Sequence, residues 1–195
     1  MPGDSHAVSD VLDELVEVAS QDARVQVGEL LEALGHRGIG VFLFVPGLLE
    51  LSPIGGIPGV PTLLAAIVLV FALQILTGRD HMWLPAFAQR RSISSARVTT
   101  AARTLRPVAD RLDRWFQGRL DRLVRAPFTR LAAAMSTVLA LTVPPLEIVP
   151  FASSAPMGAI AAFGLALLVR DGVLMLLASV LSVLAIGIVG WVVLG

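Results

Sequence analysis

The chain has 195 residues, 55% of them hydrophobic and 15% charged, with a mean hydropathy of +0.80. Soluble domains run at about 45–50% apolar and about 25% charged, so the composition is displaced towards lipid. Formal net charge is zero and there is no cysteine, which excludes disulfides and thiolate metal sites.

The zero hides three blocks. Residues 1–37 carry eight acids against Arg24 and Arg37, and residues 79–130 carry twelve arginines against Asp80, Asp110, Asp113 and Asp121. The remainder holds Glu50, Glu147 and Asp171 against Arg170. All the basic side chains are arginine, which fits a high-GC genome as well as any chemical need. The first thirty residues are acidic and lack the apolar core of a signal peptide.

Along residues 1–37, Val8, Val11, Leu12, Leu15 and Ala19 fall at helical spacing, and Val27, Leu30, Leu31 and Leu34 repeat the pattern. Gly28 and the intervening acids predict two short amphipathic helices rather than one. Asp10, Asp13, Glu14 and Glu17 make this a poor binder of anionic lipid, so a packing partner for the rest of the chain is expected.

Residues 38–78 predict a first membrane hairpin. Its opening run, Ile39 to Leu51, has thirteen residues, about 20 Å of helix. Pro46 and Gly47 are expected to interrupt it. After a stretch rich in proline and glycine, Gly59 to Thr77 is long enough for the roughly 20 residues that a span needs.

Residues 79–130 form an Arg-rich connector. GRDHMWLP (78–85) reads as a membrane-interface signature, with Arg79 and Asp80 in water and Trp83 at headgroup level. From Ser94 to Arg125 apolar residues from Val98 through Leu112 to Trp115 and Phe116 recur at helical spacing. Arginines 103, 106, 111, 114, 119 and 122 fill the other faces. Pro107 is expected to kink or split this helix. The connector is expected on the cytoplasmic side, its arginines meeting the anionic inner leaflet. Arg103, Arg106, Arg111, Arg114, Trp115 and Phe116 are the candidate lipid contacts; the competing reading is a helical hairpin packed on the rest of the chain.

Residues 131–171 predict a second hairpin, broken at Pro144 and Pro145, and residues 172–195 a C-terminal transmembrane helix. The two hairpins resemble each other. Each runs apolar, then E-x-x-P (Glu50 to Pro53, Glu147 to Pro150), then apolar again, then Arg-Asp (Arg79-Asp80, Arg170-Asp171). Repeated halves with broken helices are frequent in transporters. The fold class expected is an all-α integral membrane protein of two helical-hairpin repeats joined by an amphipathic connector. The apolar runs make it multi-pass, and arginine counting puts the connector on the cytoplasmic side of the inner membrane.

The segments 27–50 (VGELLEALGHRGIGVFLFVPGLLE), 72–85 (ALQILTGRDHMWLP) and 88–93 (AQRRSI) carry a family resemblance. With Arg103-Thr-Leu-Arg-Pro107 and Arg170-Asp171-Gly172, they make the chain similar to the exopolysaccharide synthesis ExoD family over about residues 27 to 195. That resemblance implies a bacterial inner-membrane protein linked to exopolysaccharide production and carries over no catalytic residue. The turn bearing Glu50 is longer and richer in glycine than the family resemblance leads one to expect.

His6, His36 and His81 have neither metal spacing nor a candidate nucleophile, and no phosphate loop or paired aspartates occur. The expected role is therefore non-catalytic, with no cofactor or metal: an accessory or structural protein of exopolysaccharide synthesis or export. The alternative is a small transporter or handler of lipid-linked sugar. Its candidate ion or substrate site is Glu50, Glu147, Arg79, Asp80, Arg170 and Asp171. Against that site, both glutamates flank proline and end their apolar runs, which favours surface turns. Membrane lipid is the expected partner, a homodimer is an open alternative, and nucleic acid is not expected, since no reading motif accompanies the arginines.

Overall fold

The computed structural model describes residues 7–34, 38–78, 89–115, 124, 126–149 and 151–194. These form α1 (Ala7–Gln21), β1 (Arg24–Gln26), α2 (Val27–Leu34), α3 (Gly38–Glu50), a 3-10 turn (Pro53–Gly56), α4 (Val60–Leu76) and β2 (Ser92–Ser94). Then follow α5 (Ser95–Trp115), α6 (Ala126–Leu146), α7 (Ser154–Leu168) and α8 (Gly172–Leu194). The fold is mostly helical.

The break expected near Gly28 is a strand. β1 pairs antiparallel with β2, Val25 opposite Ile93, and clasps the acidic N-terminal segment to the start of α5. Three residues per strand leave no periodicity to read, which is why this ribbon was not expected.

The prolines break less than expected. Pro46 lies inside α3, Pro107 inside α5, and Pro144 and Pro145 inside the last turn of α6. A proline removes one N–H and crowds one carbonyl, but packing along the rest of the helix can outweigh that local loss. Pro46 is buried within α3.

The centre is a four-helix core. Leu43 of α3, Val68 of α4, Leu139 of α6 and Ile160 of α7 are each 0% exposed and belong to one apolar cluster. The pairing crosses between the two helical hairpins: α3 packs most extensively on α7, and α4 on α6. Both pairs are antiparallel. In α3·α7, a Cβ on Gly40 would stand 2.6 Å from the Gly164 carbonyl oxygen, and one on Gly47 would stand 2.8 Å from Ala161 Cβ. The backbones therefore touch, as only small residues allow. Phe42 and Phe71 stack at 4.2 Å between α3 and α4.

α8 packs beside α7 through Met175 and Ala178, against Phe163 and Ala166. At the end where α7 finishes, Val8, Val11 and Leu12 of α1 and Ala102 and Ala109 of α5 gather on Leu168 and Val169. The acidic N-terminal helix thus covers the apolar face of the arginine helix.

Outward-facing surfaces are strongly apolar. Leu63, Ile67, Val70 and Leu73 are exposed on α4, and Leu177, Val180, Leu184 and Ile188 on α8. Among the described residues one helix, α6 over Pro127–Leu146, is long and apolar enough to cross a membrane. α4, expected as a span, has 17 residues, about 26 Å against a hydrocarbon core of about 30 Å.

The close approach yields a paired test. Gly164→Ala places its methyl against Phe44 N of α3 and is expected to destabilise the purified protein by about 1–3 kcal/mol through overpacking. Gly187→Ala, with nothing within 4 Å of the added carbon, is expected to be neutral or stabilising, because alanine is the better helix former. Thermal unfolding in detergent compares the two.

Candidate functional site

α3 and α6 end, and α4 and α7 begin, at one end of the four-helix core. The chain leaves α3 through a tight turn in which Gly55 N–H donates to Ser52 O at 3.0 Å. A side chain at Gly55 would overlap the carbonyl of Glu50, so only glycine fits. This brings the chain back to start α4 at left-handed Gly59, φ 89°.

The two glutamates each cross to the opposite hairpin. Glu50, the last residue of α3, is 3% exposed. Ser153 Oγ, at the N-cap of α7, donates to its Oε1 at 2.7 Å. Ser154 lies close to the same carboxyl, while Oε2 is buried without a hydrogen-bond partner among the described residues. Glu147, one residue beyond α6, accepts from Gly59 N–H and from Thr62 Oγ1 at the start of α4. The first N–H groups of a helix lack intrahelical acceptors and carry partial positive charge, so a carboxylate from another helix satisfies both.

The surface-turn expectation is therefore corrected for Glu50. α3 lies flush against α7, and the N-terminus of α7 covers the side chain that ends α3. Glu147 stays partly exposed.

The Arg170-Asp171 dipeptide ends α7 and starts α8. Asp171 is 2% exposed and caps α8, its Oδ1 accepting from Val173 N–H at 2.8 Å and Leu174 N–H at 3.1 Å. Arg170 is exposed and left-handed at φ 51°, and Asp171 N–H reaches back to Ala166 O at 3.1 Å, a helix-terminating bond. After α4 the left-handed residue is Gly78, φ 66°. The turns therefore match Gly78 with Arg170, one position out of step with the dipeptide pairing. Arg79 and Asp80 lie outside the described residues.

On the connector, Arg103, Arg111 and Arg114 are exposed, and Arg114 Nε donates to Asp110 O at 3.1 Å. Arg106 forms a two-pronged pair with Asp13 of α1. The hydrogen bond to Asp13, reinforced by its charge, raises the guanidinium above its already high ordinary value. The Trp115 side chain and Phe116 lie outside the described residues.

Sequence reasoning missed the partners. Asp113 is 4% exposed and caps α1 from α5, accepting from Val8 N–H and Ser9 N–H at 3.0 Å each and from Ser9 Oγ at 2.7 Å. Ser153 ahead of an apolar run, and Gly59 with Pro61 behind it, are recognisable helix starts. Nothing local says which distant carboxylate serves them. Among the described residues no three His, Asp or Glu side chains gather as a metal set. The arrangement is chemistry of helix ends: carboxylates placed on N–H groups and hydroxyls of another helix.

Residues 8–191 match the family model described as "Exopolysaccharide synthesis, ExoD". A similar protein, Protein ExoD of Rhizobium meliloti (strain 1021), is 28% identical over 180 residues, 88% of this chain and 72% of that relative. No solved structure matches.

Removing the Ser153 hydroxyl, which donates to Glu50 at 2.7 Å, should register clearly. Ser153→Ala is expected to cost about 1–3 kcal/mol, the penalty for leaving a buried acceptor unsatisfied. Ser179→Ala removes a hydroxyl that, among the described residues, bonds its own helix at Met175 O, and should change little. In the connector, Asp113→Ala frees the first N–H groups of α1 and is expected to cost about 1.5–3 kcal/mol. Limited proteolysis should then release α1 first.

Proposed function

Because the chain belongs to the exopolysaccharide synthesis ExoD family, we propose that it serves that process as a multi-pass protein of the bacterial inner membrane. Its role is structural or accessory rather than catalytic. The observation that carries this reading is the use made of the carboxylates. Glu147 and Asp171 are engaged on helix N-termini, and Glu50 is held by a helix-start serine. None is offered to a reacting group in a cleft.

Membrane residence is supported by the apolar faces that α4, α6 and α8 turn outward, since water-soluble monomers rarely expose contiguous apolar patches beyond a few hundred Å². In this reading residues 38–78 and 131–171 are two related hairpins, an internal repeat whose members cross-pair. The exposed arginines of α5 lie on the cytoplasmic side. With α1 seated on the apolar face of α5, contact with anionic inner-leaflet lipid is by charge at Arg103, Arg111 and Arg114, without insertion of that face.

One observation favours a second reading, transport or handling of a lipid-linked sugar: Glu50 Oε2 is buried without a hydrogen-bond partner among the described residues, as a coupling carboxylate would be. Proteoliposome assays separate the two. The accessory reading expects no protein-dependent flux of protons or lipid-linked sugar. It also expects that a folded Glu50→Gln, Glu147→Gln double variant supports exopolysaccharide production in cells lacking the native gene. Flux that the double variant abolishes would establish transport instead.

A further inference from the structure

We propose that the loop end of the hairpin unit, the turns joining α3 to α4 and α6 to α7, is a lipid-inserted tip. It ends inside the far leaflet rather than standing in water beyond it. This rests on the membrane residence proposed above, with the two hairpins reaching across the bilayer without emerging on its far side.

The first observation is the side chains themselves. Leu51 and Ile57 in one turn, and Ile148, Val149 and Phe151 in the other, are exposed; Ile148 is 86% exposed and Phe151 76%. Phe151 holds φ 64°, a left-handed backbone that is unfavourable for a bulky residue. The energy goes into projecting an aromatic ring outward, which water gives no reason to do.

The second is charge. From 38 to 78 the only charged residue is Glu50, and from 131 to 169 the only one is Glu147. Both bond across the hairpins, so the tip presents no free cation and no lysine or arginine for a headgroup or solvent.

The third is backbone satisfaction. An unsatisfied backbone N–H or carbonyl costs several kcal/mol in lipid, so turns that enter a leaflet must bond their polar groups internally or hold them at its interfacial level. These turns largely meet that demand. Ser52 N–H bonds Leu49 O, Gly55 N–H bonds Ser52 O and Val60 N–H bonds Ile57 O. In the other turn Val149 N–H bonds Leu146 O, Ala152 N–H bonds Val149 O and Ser154 N–H bonds Phe151 O. The Ser52 hydroxyl bonds Leu49 O.

The fourth is length. Arg130, at the base of α6, lies level with Gly78 and is the last charge before the apolar run. From Arg130 to Glu147 is seventeen residues, about 26 Å of helix. The hydrocarbon core is about 30 Å thick. With arginine at the inner boundary, the carboxylate level falls short of the outer one, and the apolar tips fill the remaining depth. They continue the lipid-facing surfaces of α4 and α6, where Leu63 and Leu141 are exposed.

The chain has no cysteine, so single thiols can be placed without other changes. Ile57→Cys, Ile148→Cys and Phe151→Cys, with Arg103→Cys as the connector control, are spin-labelled and reconstituted in phosphatidylethanolamine–phosphatidylglycerol vesicles. Collisions with oxygen, which partitions into lipid, are expected to exceed those with a water-soluble nickel chelate at the three tip positions, and the order to reverse at 103. An impermeant maleimide should fail to label 148 and 151 from either side until detergent is added. High nickel access with labelling from one side would overturn the proposal by placing the turns in water. Low access to both probes would overturn it in favour of a protein partner. Release of the protein from vesicles by alkaline carbonate would instead sink the membrane reading itself.

Discussion

The contact between α3 and α7 is the constraint on which the rest of the structure depends. A thirteen-residue helix with proline inside it has little stability of its own, because short helices are marginal without tertiary packing. α3 is held because Gly40, Gly47 and Gly164 let two backbones approach closely, gaining dispersion contacts along their whole shared length. That approach draws each hairpin onto the other instead of letting it close on itself. Once α3 lies flush on α7 and α4 on α6, the glutamate at the end of α3 and the one just past α6 each meet the start of the other hairpin's second helix.

Charge follows from that geometry. A buried carboxylate needs donors, and a helix start has donors without acceptors. Cross-pairing brings the two deficits together at Glu147 with Gly59 and Thr62, and at the same end of the core sets Glu50 on the Ser153 hydroxyl. Asp171 and Asp113 solve the same problem for α8 and α1. At the opposite end the acidic α1 takes the apolar face of α5 and pairs Asp13 with Arg106. The charge asymmetry between the first block and the connector is thus partly resolved inside the molecule, which leaves Arg103, Arg111 and Arg114 among the exposed arginines of the connector. The proposed lipid contact is narrowed accordingly, from a whole amphipathic face to a row of guanidinium groups.

Much of the helical layout was legible because periodicity and apolar run length are local quantities. The spans of α3, α4, α7 and α8 follow the apolar runs closely, and α1 and α5 follow the spacing of Val8, Val11 and Leu12 and of Ala102 and Ala109. The errors were also local in origin. Pro46, Pro107 and the Pro144-Pro145 pair carry an intrinsic cost to a helix, yet each lies within one. The strand pair at Val25 and Ile93 joins segments almost seventy positions apart, each too short for a pattern to be read.

By itself the sequence determined the apolar composition, the helical runs, the arginine connector and the family to which the chain belongs, since each rests on residue identity or short-range spacing. Only the tertiary structure decided what the carboxylates do. E-x-x-P marked Glu50 and Glu147 as notable, but a carboxylate's role depends on which donors reach it. Those donors lie 85 to 103 positions away in the chain. Burial of Glu50 is set by how closely α7 approaches α3, and that approach depends on glycines facing one another across the gap, a relation that no single stretch of sequence contains.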